Sequence, residues 1–380
     1  MSSITSFLRQ SATNFKGKGL SGKVVVIESD DWGSIRTPRK GAHELLEKFG
    51  IKWQKSPYLS FDHPASAQDV VALLDVLKRH TNQLGQHPIL TANVNTSNPD
   101  FDFIRNNQFQ EYRAQPIQQT FEQLFTPSEN PLAVWKQGIA ESLFYPQFHG
   151  REHVHVATWL KLLKQKDPLF TAAFDLGFWG ITPEMYPKLK TNIQAAFDGP
   201  IAENKAFIAN SIQEGVAQFD TLFGFKPKTF IPTNYIWTDA YNDILIENGF
   251  TGVQGMKFQL LPKETLTASR TMSRRWNGQN RGGLIQTVRN TVFEPSFYAI
   301  DQRNHLVDQC LMQLSNAFLW RKPAVISIHR LNFSSQLNTQ NRDVNLMLLD
   351  ELLAKMLKRW PEIVFLTAEQ LIDRYQTNTP

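Results

Sequence analysis

Cysteine is almost absent: one occurs in 380 residues. Cys310 cannot close an internal disulfide, so a disulfide scaffold and a thiolate zinc cluster are both excluded. It sits beside Leu311 and Met312 and is expected to be buried and inert. Long apolar runs are missing too. No segment approaches a membrane span, and Met1 to Arg9 lacks the continuous apolar stretch of a secretory signal. A cytoplasmic location with no membrane partner follows as the default expectation. Charge of one sign is scarce: 40 Lys and Arg stand against 35 Asp and Glu, and the excess is spread along the chain. No basic stripe carries interleaved aromatics, so nucleic acid is not an expected partner. No linker rich in Pro, Gly or Ser and no internal repeat divides the chain. What is present is globular: 41% hydrophobic residues, with 27 Phe, 9 Trp and 8 Tyr. That is too aromatic for a disordered tail, and the length suffices for a large core.

Residues 1–22 read as an N-terminal extension. The first expected strand is Lys23 to Glu28, whose run Val24-Val25-Val26-Ile27 suits a strand covered on both faces. Further strands are expected at 88–93, 144–149, 229–232, 284–293, 323–329 and 363–366. Helices are expected at 70–80, 158–166, 202–223, 240–247 and 345–360. The apolar side of the third contains Phe207, Ile208, Ile212, Val216, Phe219 and Leu222. Thr367 with Gln370 resembles a capping box opening a last short helix. Strands alternating with helices favour an α/β fold with parallel strands. Residues 23–375 read as one domain with loop insertions around 100–145, 156–200 and 255–285. Asp30, Asp31, His149, Pro232 and His329 all fall at or just past expected C-terminal strand ends. Functional groups gather there in barrels and open sheets.

His149 and His153 stand four apart, and a helix beginning near 149 would turn both to one side. Two imidazoles with one carboxylate make a common divalent-metal triad that leaves room for water and substrate. Asp30-Asp31 supplies that carboxylate and a second one free to act as a base. Plainer readings stand beside these. Asp30 could cap the following element, and His329 could be a satisfied strand-end histidine. His155 could be structural or could replace His153. Trp32, Trp179, Trp237 and Trp276 could line a sugar-binding groove or serve as core. Asp175 could orient a histidine or cap a turn. Arg330 could contact substrate or form a surface pair.

These motifs resemble the polysaccharide deacetylases of the NodB-homology type, carbohydrate esterase family 4. The resemblance spans roughly residues 23–375 and implies a distorted (β/α)7 barrel. Glu28-Ser29-Asp30-Asp31-Trp32-Gly33 matches the first motif, implying that Asp30 is the general base and Asp31 a metal ligand. His149 and His153 match the second, whose histidines complete the ligand set. Phe230-Ile231-Pro232-Thr233-Asn234-Tyr235 is the nearest match to the third but lacks its Arg, which in the family orients the base. A backbone N–H near Tyr235 would then help hold the oxyanion. For the fourth, Arg275-Trp276 has the right order, whereas Asp175 with Trp179 comes earlier. Val325-Ile326-Ser327-Ile328-His329 matches the fifth and makes His329 the general acid. The closing 365–371 segment is similar to the family's last strand and helix.

The resemblance implies a hydrolase with one divalent ion, zinc being the first choice. It would remove acetyl from an N-acetylated carbohydrate or related amide, with a small or oligomeric acetylated sugar as partner. Two other readings remain at this level. One is an amidohydrolase on a small nitrogenous substrate. The other is a non-catalytic carbohydrate-binding protein.

Overall fold

The computed structural model describes residues 10–42, 44–265 and 268–377. Residues 1–9, on which the absence of a signal was read, lie outside these. The fold is α/β, with a central mixed sheet flanked by helices. Its strands are β1 (Val24–Trp32), β2 (Leu90–Val94), β3 (Phe144–Phe148), β4 (Thr229–Phe230), β5 (Gly252–Met256), β6 (Leu284–Arg289), β7 (Thr291–Val292), β8 (Ala324–His329) and β9 (Val364–Phe365). The hydrogen-bonded order is β6-β5-β4-β3-β2-β1-β8-β7, every neighbouring pair parallel. β9 pairs with the start of β1, and Gln279–Arg281 runs antiparallel to β6. Among the described residues no helix is long and apolar enough to cross a membrane.

Residues 284–293, expected as one strand, are two. β6 pairs with β5 and β7 with β8, and only Asn290 separates them. Asn290 manages the change of partner with its side chain: Oδ1 accepts from Val325 N–H at 2.9 Å and Nδ2 donates to Pro323 O at 2.8 Å.

Side-chain alternation along β1 sorts two environments. Val25 and Ile27 join the main apolar cluster with residues of the flanking helices α1 (Ala67–Lys78), α2 (Ile201–Phe223), α3 (Leu306–Leu319) and α4 (Thr339–Arg359). Val24 and Val26 point the other way. They meet Ile285, Val325 and the buried Leu371, Ile372 and Tyr375 of α5 (Ala368–Thr377). The same parity then continues into Glu28 and Asp30. One row of β1 is therefore apolar where the strand begins and ionic where it ends. The expected capping box of α5 is present: Gln370 N–H donates to Thr367 Oγ1, and Thr367 N–H to Gln370 Oε1.

Some parts of the reading need correction. Residues 149–155 are not helical, and the next helix begins at Val156 with His155 as its cap. The 100–145 insertion carries helices at Phe101–Asn106, Ile117–Leu124 and Leu132–Ala140. Pro168–Asp175 is a helix inside the 156–200 loop insertion, and it had a sequence signal. Asp167 caps it by accepting from Leu169 and Phe170 N–H, and Pro168 sits at its first position. Phe207 is on the solvent side of α2, 40% exposed. Residues 46–59, 101–112 and 154–193 build a second apolar cluster around Trp159, Phe170, Phe174 and Trp179. Of the N-terminal extension, residues 10–22 pack on the body. Lys18 N–H donates to Asn277 O and Leu20 N–H to Arg321 O.

Candidate metal centre

A regular strand would send Asp30 and Asp31 to opposite faces. β1 breaks that rule. Its register with β2 shifts between Ser29 and Trp32, and Asp31 has φ of +73°. Such bulges re-aim side chains at functional sites, at a cost in backbone strain. Both carboxylates consequently border one cavity. Gly33 follows with φ of +91°, and a Cβ there would lie 2.2 Å from Asn95 O. Gly33→Ala is expected to cost about 2 kcal/mol or more, read as a lower urea midpoint at unchanged slope; an unchanged midpoint would contradict this geometry.

Asp31, His149 and His153 are buried and place one ligand atom each within 4.8 Å of one another. His149 Nε2 and His153 Nε2 both stand 3.5 Å from Asp31 Oδ1. His149 comes off the end of β3 and His153 from the loop that follows. The loop, not a helical turn, brings their rings to 5.1 Å. His149 Nδ1–H donates to Ile231 O at 2.8 Å, which leaves the Nε2 lone pair facing Asp31. Burial, with the Arg36 cation beside it, pushes the His153 pKa well below 6.5, so this imidazole is neutral and also offers a lone pair. Burial would raise the Asp31 pKa, but Arg36 together with His149, His153 and His329 outweighs it, and the carboxyl stays well below the usual range. Two imidazole nitrogens and an ionised carboxylate form a donor set that fits a divalent ion.

Arg36 was not singled out from sequence. Its Nη1 and Nη2 donate to Asp31 Oδ2 and Oδ1 at 2.8 and 2.9 Å, and Nη2 lies 3.0 Å from His153 Nε2. An ion on these donors competes with that last contact. Behind it, Asp62 accepts from Arg36 at 3.2 Å and from Arg330 at 2.6 Å. Arg330 is thus a buried partner of Asp62, not a surface pair.

Asp30 is gripped from another strand. Arg289, at the end of β6, donates from Nη1 and Nη2 to its two oxygens, each at 2.6 Å, and from Nε to Glu28 at 2.7 Å. Asn93 adds a bond to Asp30 Oδ1 at 2.8 Å. Burial would raise the Asp30 pKa, yet Arg289 overrides it and holds the carboxylate ionised. The 230–235 segment holds no Arg, and the arginine that grips Asp30 comes from β6. Tyr235, with φ of +57°, accepts from Arg289 at 3.1 Å through its phenol oxygen. Burial pushes the Tyr235 phenol up to about 12. Its backbone N–H donates to Pro232 O at 3.0 Å and is engaged in that turn.

His329, ending β8, faces Asp30 Oδ2 across 3.8 Å. Its Nδ1 bonds Glu294 Oε1 at 2.6 Å, and its Nε2 bonds the Tyr58 phenol at 3.2 Å. Asn332 and the His329 N–H hold the other Glu294 oxygen. Burial alone would lower the His329 pKa. The Glu294 carboxylate reverses this and lifts it to about 9. Asp30, Asp31, His149, His153, Tyr235 and His329 all line one cavity of about 130 Å³. A neighbouring cavity of about 320 Å³ shares Tyr58, Gln194 and Asn234 with it.

Other expected site residues fall elsewhere. Trp32 is core: fully buried, it packs edge-on to Trp135 and Phe144 and donates to Ser29 Oγ. Trp237 is buried against Phe197 and Phe230. Trp179 is buried, donates to Ile35 O and stacks on the His153 ring at 6.2 Å, so it supports the ligand loop. His155 accepts from Thr158 N–H at 3.3 Å as a helix cap and is absent from the ligand cluster. Asp175 is exposed and pairs with Arg105. Arg275 is buried against Asp239 and Gln259, and Trp276 packs on Phe15 and Arg274, all away from the cavity.

No family model matches the chain, and no curated protein matches it. Solved structures of distant likeness exist. A 4-alpha-glucanotransferase of Thermococcus litoralis aligns with a TM-score of 0.45 at 10% identity, over 96% of this chain and 41% of that one. This chain thus spans about two fifths of the glucanotransferase. A Mycobacterium smegmatis protein described as a polysaccharide deacetylase aligns with a TM-score of 0.42 at 11% identity, over 96% of both chains. The Xyl-CE4 domain of a xylanase from the hindgut metagenome of Trinervitermes trinervoides aligns with a TM-score of 0.37 at 11% identity, over 94% of this chain and 92% of that one.

Proposed function

We propose that the chain is a metal-dependent hydrolase that removes an acetyl group from an N-acetylated carbohydrate or related amide. Its frame is read as a distorted (β/α)7 barrel, with β6 and β7 counted as one member, in a single domain with insertions. The observation that carries the function is a pairing of opposites around one cavity. An ionised carboxylate on Arg289 and a protonated imidazole on Glu294 face each other beside the Asp31-His149-His153 donor set. Two groups driven apart in pKa by their partners mark acid and base roles.

A divalent ion held by Asp31, His149 and His153, zinc being the first choice, would supply Lewis-acid polarisation of the acyl carbonyl and a more acidic water. The chain's own groups do the rest. Asp30 takes the proton of the attacking water. Arg289 keeps Asp30 a weak base, so the proton is passed on and does not stay. His329 starts as imidazolium and supplies the proton an amine needs to leave. Asn93 and Arg289 fix the Asp30 carboxylate, and Glu294 fixes the His329 ring.

A sugar ring is supported by the second cavity, whose mixed lining sets Thr182, Asn192, Gln194 and Asn234 beside the apolar surface of Pro57 and Met185. The small catalytic cavity favours, as a second reading, a compact nitrogenous amide. A purely binding protein would not require Asp30 and His329 to stand in opposite charge states on one cavity. The test is acetate release from a panel of acetylated amino sugars and small amides. Turnover is expected to vanish with chelator, return with a divalent ion, and fall at least about 100-fold in Asp30→Asn with the ion retained. No release from any member of the panel under metal-replete conditions would sink the proposal.

A further inference from the structure

We propose that Tyr58 is the group that hands the proton to the departing atom, with His329 behind it as the reservoir. The inference rests on the acyl-hydrolase reading above. His329 as an imidazolium has two N–H groups. Nδ1–H is committed to Glu294 at 2.6 Å, and Nε2–H meets the Tyr58 oxygen at 3.2 Å. The other acceptor near Nε2, Asp30 Oδ2, is 3.8 Å away, outside hydrogen-bond range. A phenol that accepts from His329 still has its own O–H to give. Among the described residues that O–H has no acceptor. Tyr58 lines both the catalytic cavity and the larger one beside it. The donor offered to a ligand is therefore the phenol and not the imidazole.

The ring is held for this. It stands edge-on to Phe297 at 5.6 Å and to His329 at 5.4 Å, and Arg36 lies 4.5 Å from its centroid. Ser56 starts the short helix Pro57–Phe61 that carries it, by accepting from Leu59 N–H. In the step proposed, the scissile C–N bond breaks and its electron pair moves to nitrogen. That nitrogen takes the Tyr58 proton, and the Tyr58 oxygen takes the His329 Nε2 proton. Tyr58 ends as a neutral phenol. His329 ends neutral with its Nδ1–H still on Glu294. No oxidant or reductant is needed.

Tyr58→Phe removes one oxygen and keeps the ring. Two probes separate its meanings: an acetamido sugar that the wild type cleaves, and para-nitrophenyl acetate, whose phenolate leaves without a proton. Proton delivery by Tyr58 predicts that kcat on the amide falls about 100-fold or more while the aryl ester stays within about threefold. Bound metal should be unchanged. An equal fall on both probes, or a KM change alone on the amide, would overturn the inference and leave the hydrolase reading standing. A wild type inert on both overturns the hydrolase reading and this inference together. Should the Phe variant misfold, a fluorinated tyrosine at 58 keeps the test open: its more acidic phenol must change kcat on the amide and leave the ester within about threefold, and an unchanged amide kcat counts against Tyr58.

Discussion

Arg289→Met removes about 3–5 kcal/mol of stability near neutral pH and nearly all turnover. Arg289 is fully buried and answers two buried carboxylates, Glu28 and Asp30. Without it both are stranded in low dielectric, the costliest way to break such a pair. The pH dependence follows with a definite sign. In the wild type the folded Asp30 pKa lies below its unfolded value. Its contribution is present above about pH 4 and lost as pH falls through the folded value. In the variant burial acts unopposed and raises both carboxyls, so they cost stability wherever they must ionise. The deficit should be largest near neutrality and shrink below about pH 5, where protonation relieves it. Urea unfolding of both proteins across that range checks this. A deficit under about 1 kcal/mol, or one flat with pH, would mean that Arg289 is not the counter-charge described.

Glu294→Gln lowers amide turnover at pH 8 by about 30-fold with little change below pH 6. In the wild type Glu294 overcomes burial and holds His329 near 9. The amide side chain keeps a hydrogen-bonding oxygen but loses the charge, so burial brings the imidazole to its ordinary value or below. The alkaline limb of kcat should move down by roughly two units or more. Stability responds in the matching direction. The raised His329 pKa contributes stability that is complete below about pH 6.5 and lost as pH rises through about 9, and the variant lacks it. An unmoved limb in the variant, at equal metal loading, would show that His329 is not the group titrating.

Parts of this site are readable without coordinates because their signals are local. Val24 to Ile27 announces a doubly covered strand, and an acidic pair straight after it is hard to explain as packing. His149 and His329 end apolar runs in the same way. Arg289 was hidden because its partner Asp30 is 259 residues away and because 284–293 scans as one strand. Only the change of pairing at Asn290 makes residue 289 a strand end. Glu294 and Tyr58 sit in segments without periodicity, where nothing local says which side chain turns inward. Arg36 carries no spacing signal. Trp32 misleads for the opposite reason: it neighbours the acidic pair, but the bulge that turns Asp31 to the cavity leaves the indole in the apolar layer. The 149–153 spacing pointed to the right residues through the wrong local structure. A loop anchored by His149 Nδ1–H on Ile231 O brings the rings together, where a helical turn was expected.

The central claim is that Asp31, His149 and His153 hold one divalent ion. Elemental analysis of purified, folded protein dialysed from metal-replete buffer tests it most directly. The wild type should carry about one ion per chain. Asp31→Ala and His149→Ala should lose it while remaining folded, and His155→Ala should keep it. A folded wild type without a stoichiometric ion, or loss of the ion in His155→Ala with retention in His149→Ala, would contradict the account.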